Sequence, residues 1–175
     1  MNAAGGGAND EQGRAMQLGR FHAVTMLVLV ALLSGCAAAP KAAEAKGRIT
    51  ATPQVNPNSA GRPSPIHVRI FQLKEDGAFM GADFWSLVDK EQAVLGASLV
   101  QRLEYDLVPG ESKEFPLKIS PEARVLGVMA EFADYRNAEW RVTAQAPNKS
   151  LLDMVKKDRV SIEIGKNKAT ITVGD

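Results

Sequence analysis

From about residue 48 onward, apolar residues recur mostly at every second position, the period of strands with one face in a core. The clearest case is Gln101–Val108, where Leu103, Tyr105 and Leu107 alternate with Arg102, Glu104 and Asp106. "VPGES" then turns the chain, and Phe115, Leu117 and Ile119 resume the alternation, which reads as a hairpin with a longer loop. Further strands are predicted at Arg48–Thr52, Ile66–Leu73, Arg124–Phe132, Trp140–Gln145, Arg159–Ile164 and Ala169–Val173, the last two joined by "GKNK". About eight short strands predict an all-β, two-layer sandwich. Val125–Phe132 is apolar on both faces apart from Glu131, so it is expected to be the most buried strand.

Two segments depart from this period. "GADFWSLVDKEQAVLG" starts with Asp83 as an N-cap, places Phe84, Leu87 and Val88 on one stripe and has Gly96 as its stop. It predicts a short helix packed on the sandwich edge. "NKSLLDMVKKD", residues 148–158, predicts a second, with Lys156 and Lys157 near its C-terminus, where cations suit the helix dipole.

The first quarter of the chain follows another logic. Residues 1–20 are polar and Gly/Ala-rich with Arg14 and Arg20; Phe21–Leu33 is then an apolar run broken only by His22 and Thr25. This order of basic, apolar and small segments is that of a secretory signal peptide, with Met1 or Met16 as its start. As a helix the run spans about 20 Å, short of the roughly 30 Å hydrocarbon core, so it reads as an address and not an anchor. Leu33-Ser34-Gly35-Cys36 resembles a bacterial lipobox, in which the cysteine thiol accepts a diacylglycerol and cleavage before it frees an amine for a third acyl chain. Two or three chains, palmitate among them, hold a protein on a bilayer essentially permanently. Ala37 follows the cysteine where an aspartate would favour the inner membrane, so the outer membrane is expected by analogy. The expected organisation is a cleaved signal at 1–35, a lipidated flexible tether at 36–46 and a sandwich domain at 47–175.

Composition narrows the chemistry. A formal charge of +1 gives no electrostatic footprint for nucleic acid. Cys36 is the only cysteine, and His22 and His67 are the only histidines, so neither a zinc pattern nor a Ser or Cys triad can be assembled. His67 reads as a surface or interface residue, because Ile66 and Val68 occupy the opposite face of its strand. Glu131, alone in an apolar stretch, is expected to pair with Arg136 or Arg141. No catalytic residue, metal or cofactor is expected beyond the lipid on Cys36, and no small-molecule substrate. The loop "TPQVNPNSAGRPSP", residues 52–65, is different in kind: its four prolines lower the cost of ordering it, as suits a preformed recognition surface.

With the lipobox in place, four segments carry a resemblance: "NPNSAGRPSPIHVRIFQL", "ADFWSLVD", "VPGES" and "ARVLGVMAEFADYRNAEWR". In this order and spacing they resemble the TssJ/SciN family (VasD-like) of type VI secretion outer-membrane lipoproteins. Ser98 stands where an aspartate is expected, and Ala133-Asp134 where a basic residue precedes aspartate; both bear on surface contacts. The resemblance implies a transthyretin-like β-sandwich with one or two short added helices, lipid-anchored in the outer membrane and facing the periplasm. It also implies a partner, the periplasmic C-terminal region of the inner-membrane protein TssM, bound through the loop between the first two strands. That loop maps onto Asn56, Pro57, Asn58, Ser59, Gly61, Arg62 and Pro63. The rival readings are a lipoprotein carrying a small-molecule ligand, which requires a ligand-sized apolar cavity, and a hydroxyisourate hydrolase, which requires several histidines and a Tyr-Arg-Gly-Ser terminus where this chain ends "TITVGD".

Overall fold

The computed structural model describes residues 43–147 and 159–174; the signal peptide, Cys36 and the helix expected over 148–158 lie outside the described residues. The described residues form eight strands: β1 (Ala43–Ala51), β2 (Ile66–Leu73), β3 (Leu99–Leu107), β4 (Ser112–Ile119), β5 (Val125–Ala130), β6 (Arg141–Gln145), β7 (Arg159–Ile164) and β8 (Ala169–Gly174). They form two four-stranded sheets, ordered β4-β1-β7-β8 and β3-β2-β5-β6. The fold is therefore the two-sheet sandwich that the alternation predicts. Three of its details differ.

Strand β1 begins at Ala43, inside the stretch expected to be tether, because Ala43 to Lys46 continue the antiparallel ladder with Ile119 to Pro116. Low apolarity hides this part of the strand: Gly47 has no side chain because the Phe115 ring lies over it. A Cβ built on Gly47 would sit 2.4 Å from that ring, so no side chain fits. The second correction concerns the "VPGES" turn. β3 pairs with β2 and β4 pairs with β1, so the turn does not close a hairpin but crosses between sheets. Alternation reports which face of a strand is buried, and is silent on whether the next strand lies beside it or across the core. Tyr105 and Phe115 meet across that gap with ring centroids 4.8 Å apart.

The main core lies between the sheets and includes Ile49, Val68, Ile70, Leu117, Leu126, Val128 and Ile162, each 0–2% exposed. Each such side chain contributes about 1.5–3 kcal/mol through burial. A second core covers the other face of the β3-β2-β5-β6 sheet. There α1 (Gly77–Gly81) and α2 (Phe84–Leu95) bring Phe79, Phe84, Leu87 and Leu95 onto Phe71, Leu73 and Met129. The helix thus packs on a sheet face and not on the sandwich edge, because β2 and β5 are apolar on both sides at this level. β5 is buried from Leu126 to Ala130, as its two apolar faces require. Helix α2 starts as expected: Asp83 accepts from Ser86 N at 3.0 Å and from Ser86 Oγ at 2.6 Å, and these bonds hold its carboxyl below the usual 3.8. α1 is too short to carry a periodic signal and is not legible in the sequence.

Gln72 is the polar exception on the inner face. Fully buried, it donates from Nε2 to Lys118 O at 2.7 Å and to Gln101 Oε1 at 3.2 Å, while Oε1 accepts from Ser120 N at 2.8 Å. One side chain on β2 thereby stitches one sheet to the end of the other. Among the described residues no helix is long and apolar enough to cross a membrane.

Candidate functional site

Topology gathers four connections at one end of the sandwich: the β1–β2 loop (52–65), the β3–β4 turn (108–111), the β5–β6 loop (131–140) and the β7–β8 turn (165–168). The chain enters β1 at the opposite end. The β1–β2 loop is the longest of the four, and its order comes from two asparagines.

Asn56 is only 6% exposed, with φ 46° in the left-handed region that asparagine tolerates better than most residues. Its Nδ2 donates to Pro65 O at 2.7 Å, its Oδ1 accepts from Ala133 N at 2.8 Å, and its backbone N–H donates to Lys166 O at 3.1 Å. A single residue therefore joins three of the four connections. Asn58 organises the tip: Oδ1 accepts from Ala60 N and Arg62 N, both at 3.0 Å, and its own N–H donates to Arg62 O at 2.9 Å. Gly61, at φ 72°, completes a turn that a residue with Cβ would strain. Val55 is fully buried beneath the loop. The result is a braced base and a tip in which Ser59, Ala60, Gly61, Arg62 and Pro63 are exposed.

The neighbouring turns are braced as well. Glu139 N donates to Asn167 O at 2.9 Å, Ala169 N donates to Glu139 O at 3.0 Å, and Lys168 Nζ lies 2.6 Å from Glu139 Oε2. Glu111 accepts from Val108 N at 2.9 Å, and that bond is the main cause of its lowered carboxyl pKa. Val108 beside it is 53% exposed.

The residues expected to present themselves to a partner therefore divide. Ser59, Gly61, Arg62 and Pro63 are exposed, Pro57 and Asn58 half-buried, while the Asn56 side chain faces inward and braces the loop. Its burial has a plain cause: the backbone N–H of Ala133 and the carbonyl of Pro65 need partners, and the asparagine amide supplies both. Sequence alone does not bring Val108, Lys166 and Asn167 to the same end, since only the pairing of strands across two sheets does so.

His67 is half-buried on the outer face of its sheet, with Nδ1 2.7 Å from Asp106 Oδ1 and Nε2 3.7 Å from Glu104. Glu131 pairs with neither Arg136 nor Arg141. Its ion-pair partner is Arg69, with Nη2 2.8 Å from Oε1, and Arg69 donates hydrogen bonds from Nη1 to Leu87 O, Val88 O and Glu91 Oε2. Arg141 is occupied instead by the Phe79 and Ala82 carbonyls and by the Trp140 ring, 4.5 Å away, while Arg136 lies over Tyr135 at 5.6 Å. Arg69 follows His67 on the outer face of β2, and so points at the helix that covers it. Sequence parity shows this once the helix is known to lie on that face. These charges fasten α2 to the sheet.

Among the described residues no three His, Cys, Asp or Glu side chains converge as a metal site. A groove of about 420 Å³, open to solvent, runs along β1 and β4 between Glu44–Gly47 and Glu114–Lys118.

The described residues thus form a two-sheet β-sandwich with four braced connections at one end. The profile described as "T6SS-SciN: Type VI secretion lipoprotein, VasD, EvfM, TssJ, VC_A0113" matches residues 43–175, and the chain belongs to this family. The family is one of structural secretion-system lipoproteins and not of enzymes. The T6SS lipoprotein TssJ1 of Pseudomonas aeruginosa is 29% identical, with a TM-score of 0.69 over 78% of this chain and 98% of that one. Lip of Serratia marcescens, a membrane-bound component of the type VI secretion system, is 28% identical, with a TM-score of 0.68 over 75% and 96%. A chain in the structure titled "T6SS protein TssM C-terminal domain (869-1107) from EAEC" is 26% identical, with a TM-score of 0.55 over 74% and 97%. No curated protein sequence matches the chain.

Proposed function

We propose that this chain is the outer-membrane-anchored post of a type VI secretion membrane complex: acylated on Cys36, it docks the periplasmic C-terminal region of a TssM-like inner-membrane protein on its loop end. The observation that carries this reading is the polarity of the sandwich. β1 leads away from the anchored cysteine, and its nine residues carry the β1–β2 loop about 30 Å further on. The shaped tip at Ser59–Pro63 thus stands clear of the bilayer, where a partner crossing the periplasm reaches it. Acyl anchoring confines the post to a thin layer and raises its effective concentration for that partner.

The TssM-titled structure supports the same reading. The chain matched there is covered almost entirely by three quarters of this one, so it is shorter than the segment 869–1107 and stands as a companion to it. A groove open to solvent along β1 and β4, in place of an enclosed apolar cavity, does not favour the alternative of a carrier for a small ligand.

The test is Cys36→Ser in the native bacterium. Membrane fractionation of the variant is expected to show loss from the outer membrane, and a secretion assay to show loss of type VI export. Normal fractionation together with normal export overturns the reading.

A further inference from the structure

We infer that the end of the sandwich opposite the loops is a membrane-facing base, on which Lys46, Lys118 and Arg159 bind the anionic phosphate headgroups of the bilayer that holds the anchor. The inference rests on the acylation of Cys36 proposed above. It follows from where the sheet begins. Between Cys36 and Ala43 the chain reaches at most about 25 Å even when fully extended. The early start of β1 thus shortens the expected tether and keeps the domain close to the headgroups.

The charges at this end are arranged across three adjacent strands of one sheet, in the order β4-β1-β7. Lys118 is next to last in β4, Lys46 lies early in β1, and Arg159 opens β7; Lys46 and Arg159 are register partners. All three are exposed on the outer face. Further up the same face Arg48 is paired with Glu114, whereas Lys46 and Lys118 make no ion pair among the described residues. Two acidic residues stand beside the row: Glu44, the register partner of Lys118, and Glu114, whose carboxyl pKa is lowered chiefly by Arg48 and further by Lys46 and Arg159, so that with Arg48 counted four cations face two carboxylates. The row therefore keeps an excess of cations where the tether enters. Each basic residue held near an anionic surface raises partitioning by about fivefold, an effect confined to roughly a Debye length. With the acyl chains already holding the protein, such modest attraction suffices to orient it and to keep the loop end pointing away.

The test uses the full chain, processed and purified from membranes, reconstituted into vesicles of phosphatidylcholine and phosphatidylglycerol that carry nitroxide-labelled headgroups. Fluorophores are placed at Pro121→Cys in the β4–β5 turn or at Lys166→Cys in the β7–β8 turn, since acylated Cys36 leaves no other thiol. Quenching at position 121 is expected to exceed that at 166 by about threefold or more, and the excess to disappear in the combined Lys46→Gln, Lys118→Gln, Arg159→Gln variant or in about 0.5 M salt. Acylated protein with equal quenching at both positions, or with quenching that ignores the substitutions, overturns the base contact and leaves the anchor standing. A mass spectrum with no acyl chain on Cys36 overturns both.

Discussion

Two buried amides, Asn56 and Gln72, stand at opposite ends of the sandwich and do the same chemistry for different purposes. Each satisfies one backbone N–H and one carbonyl that no strand partner reaches. Gln72 closes a seam between the sheets at the end where the chain enters. Asn56 ties the long β1–β2 loop to the β5–β6 loop at the end proposed to meet the partner. The difference shows how a sandwich separates stability from recognition. The seam residue is invisible from outside, and the loop residue is equally invisible but sets the shape of what is displayed.

Substitutions at the two positions break this comparison in graded ways. Gln72→Ala leaves Lys118 O and Ser120 N without partners and opens a void, which is expected to cost about 3–5 kcal/mol of unfolding free energy in urea titration. Partner affinity per folded molecule should be unchanged. Asn56→Ala orphans Ala133 N and Pro65 O and strains a left-handed backbone, so about 2–4 kcal/mol is expected, with weaker partner binding as well. If Asn56→Ala left affinity untouched, the loop would not be the docking surface. Arg62→Glu with Pro63→Ala alters only the exposed tip; its expected result is an unchanged melting temperature and at least about a tenfold loss of affinity by calorimetry.

A smaller effect separates the helical layer from both ends. The Asp83 carboxylate caps α2 and its pKa is lowered by the Ser86 bonds. A depressed folded-state pKa means that this stabilisation is present above the ordinary carboxyl value of 3.8 and is lost as pH falls below it. The melting-temperature gap between the native chain and Asp83→Ala should therefore narrow below that pH. A gap constant down to pH 2 would show that the cap does not act through its charge.

Much of this architecture is legible in the amino-acid sequence. Apolar patterning locates the eight described strands, by period-two alternation where one face is dry and by a continuous apolar run in β5, and Asp83 and Gly96 bound α2 because capping chemistry is local. What the sequence hides is non-local. Nothing in "VPGES" says that Leu107 and Ser112 belong to different sheets. Nothing in "AEAKG" shows that its glycine makes room for the Phe115 ring. The shaped β1–β2 loop, proposed as the docking surface, is legible through its prolines and asparagines, yet the inward turn of Asn56 depends on Ala133, which is remote in sequence. Glu131 finds Arg69 and not Arg136 or Arg141 for the same reason: proximity along the chain is a poor guide to an ion pair between strands.

The central claim is that the braced loop end of an anchored sandwich is the docking surface for a periplasmic protein. Its most direct test is calorimetric titration of the full mature chain with the periplasmic C-terminal region of TssM from the same bacterium, run beside the Arg62→Glu, Pro63→Ala variant. The account predicts saturable one-site binding at micromolar or tighter affinity for the native chain, weakened at least about tenfold in the variant. Absence of binding by the native chain, or equal binding by both, would contradict it.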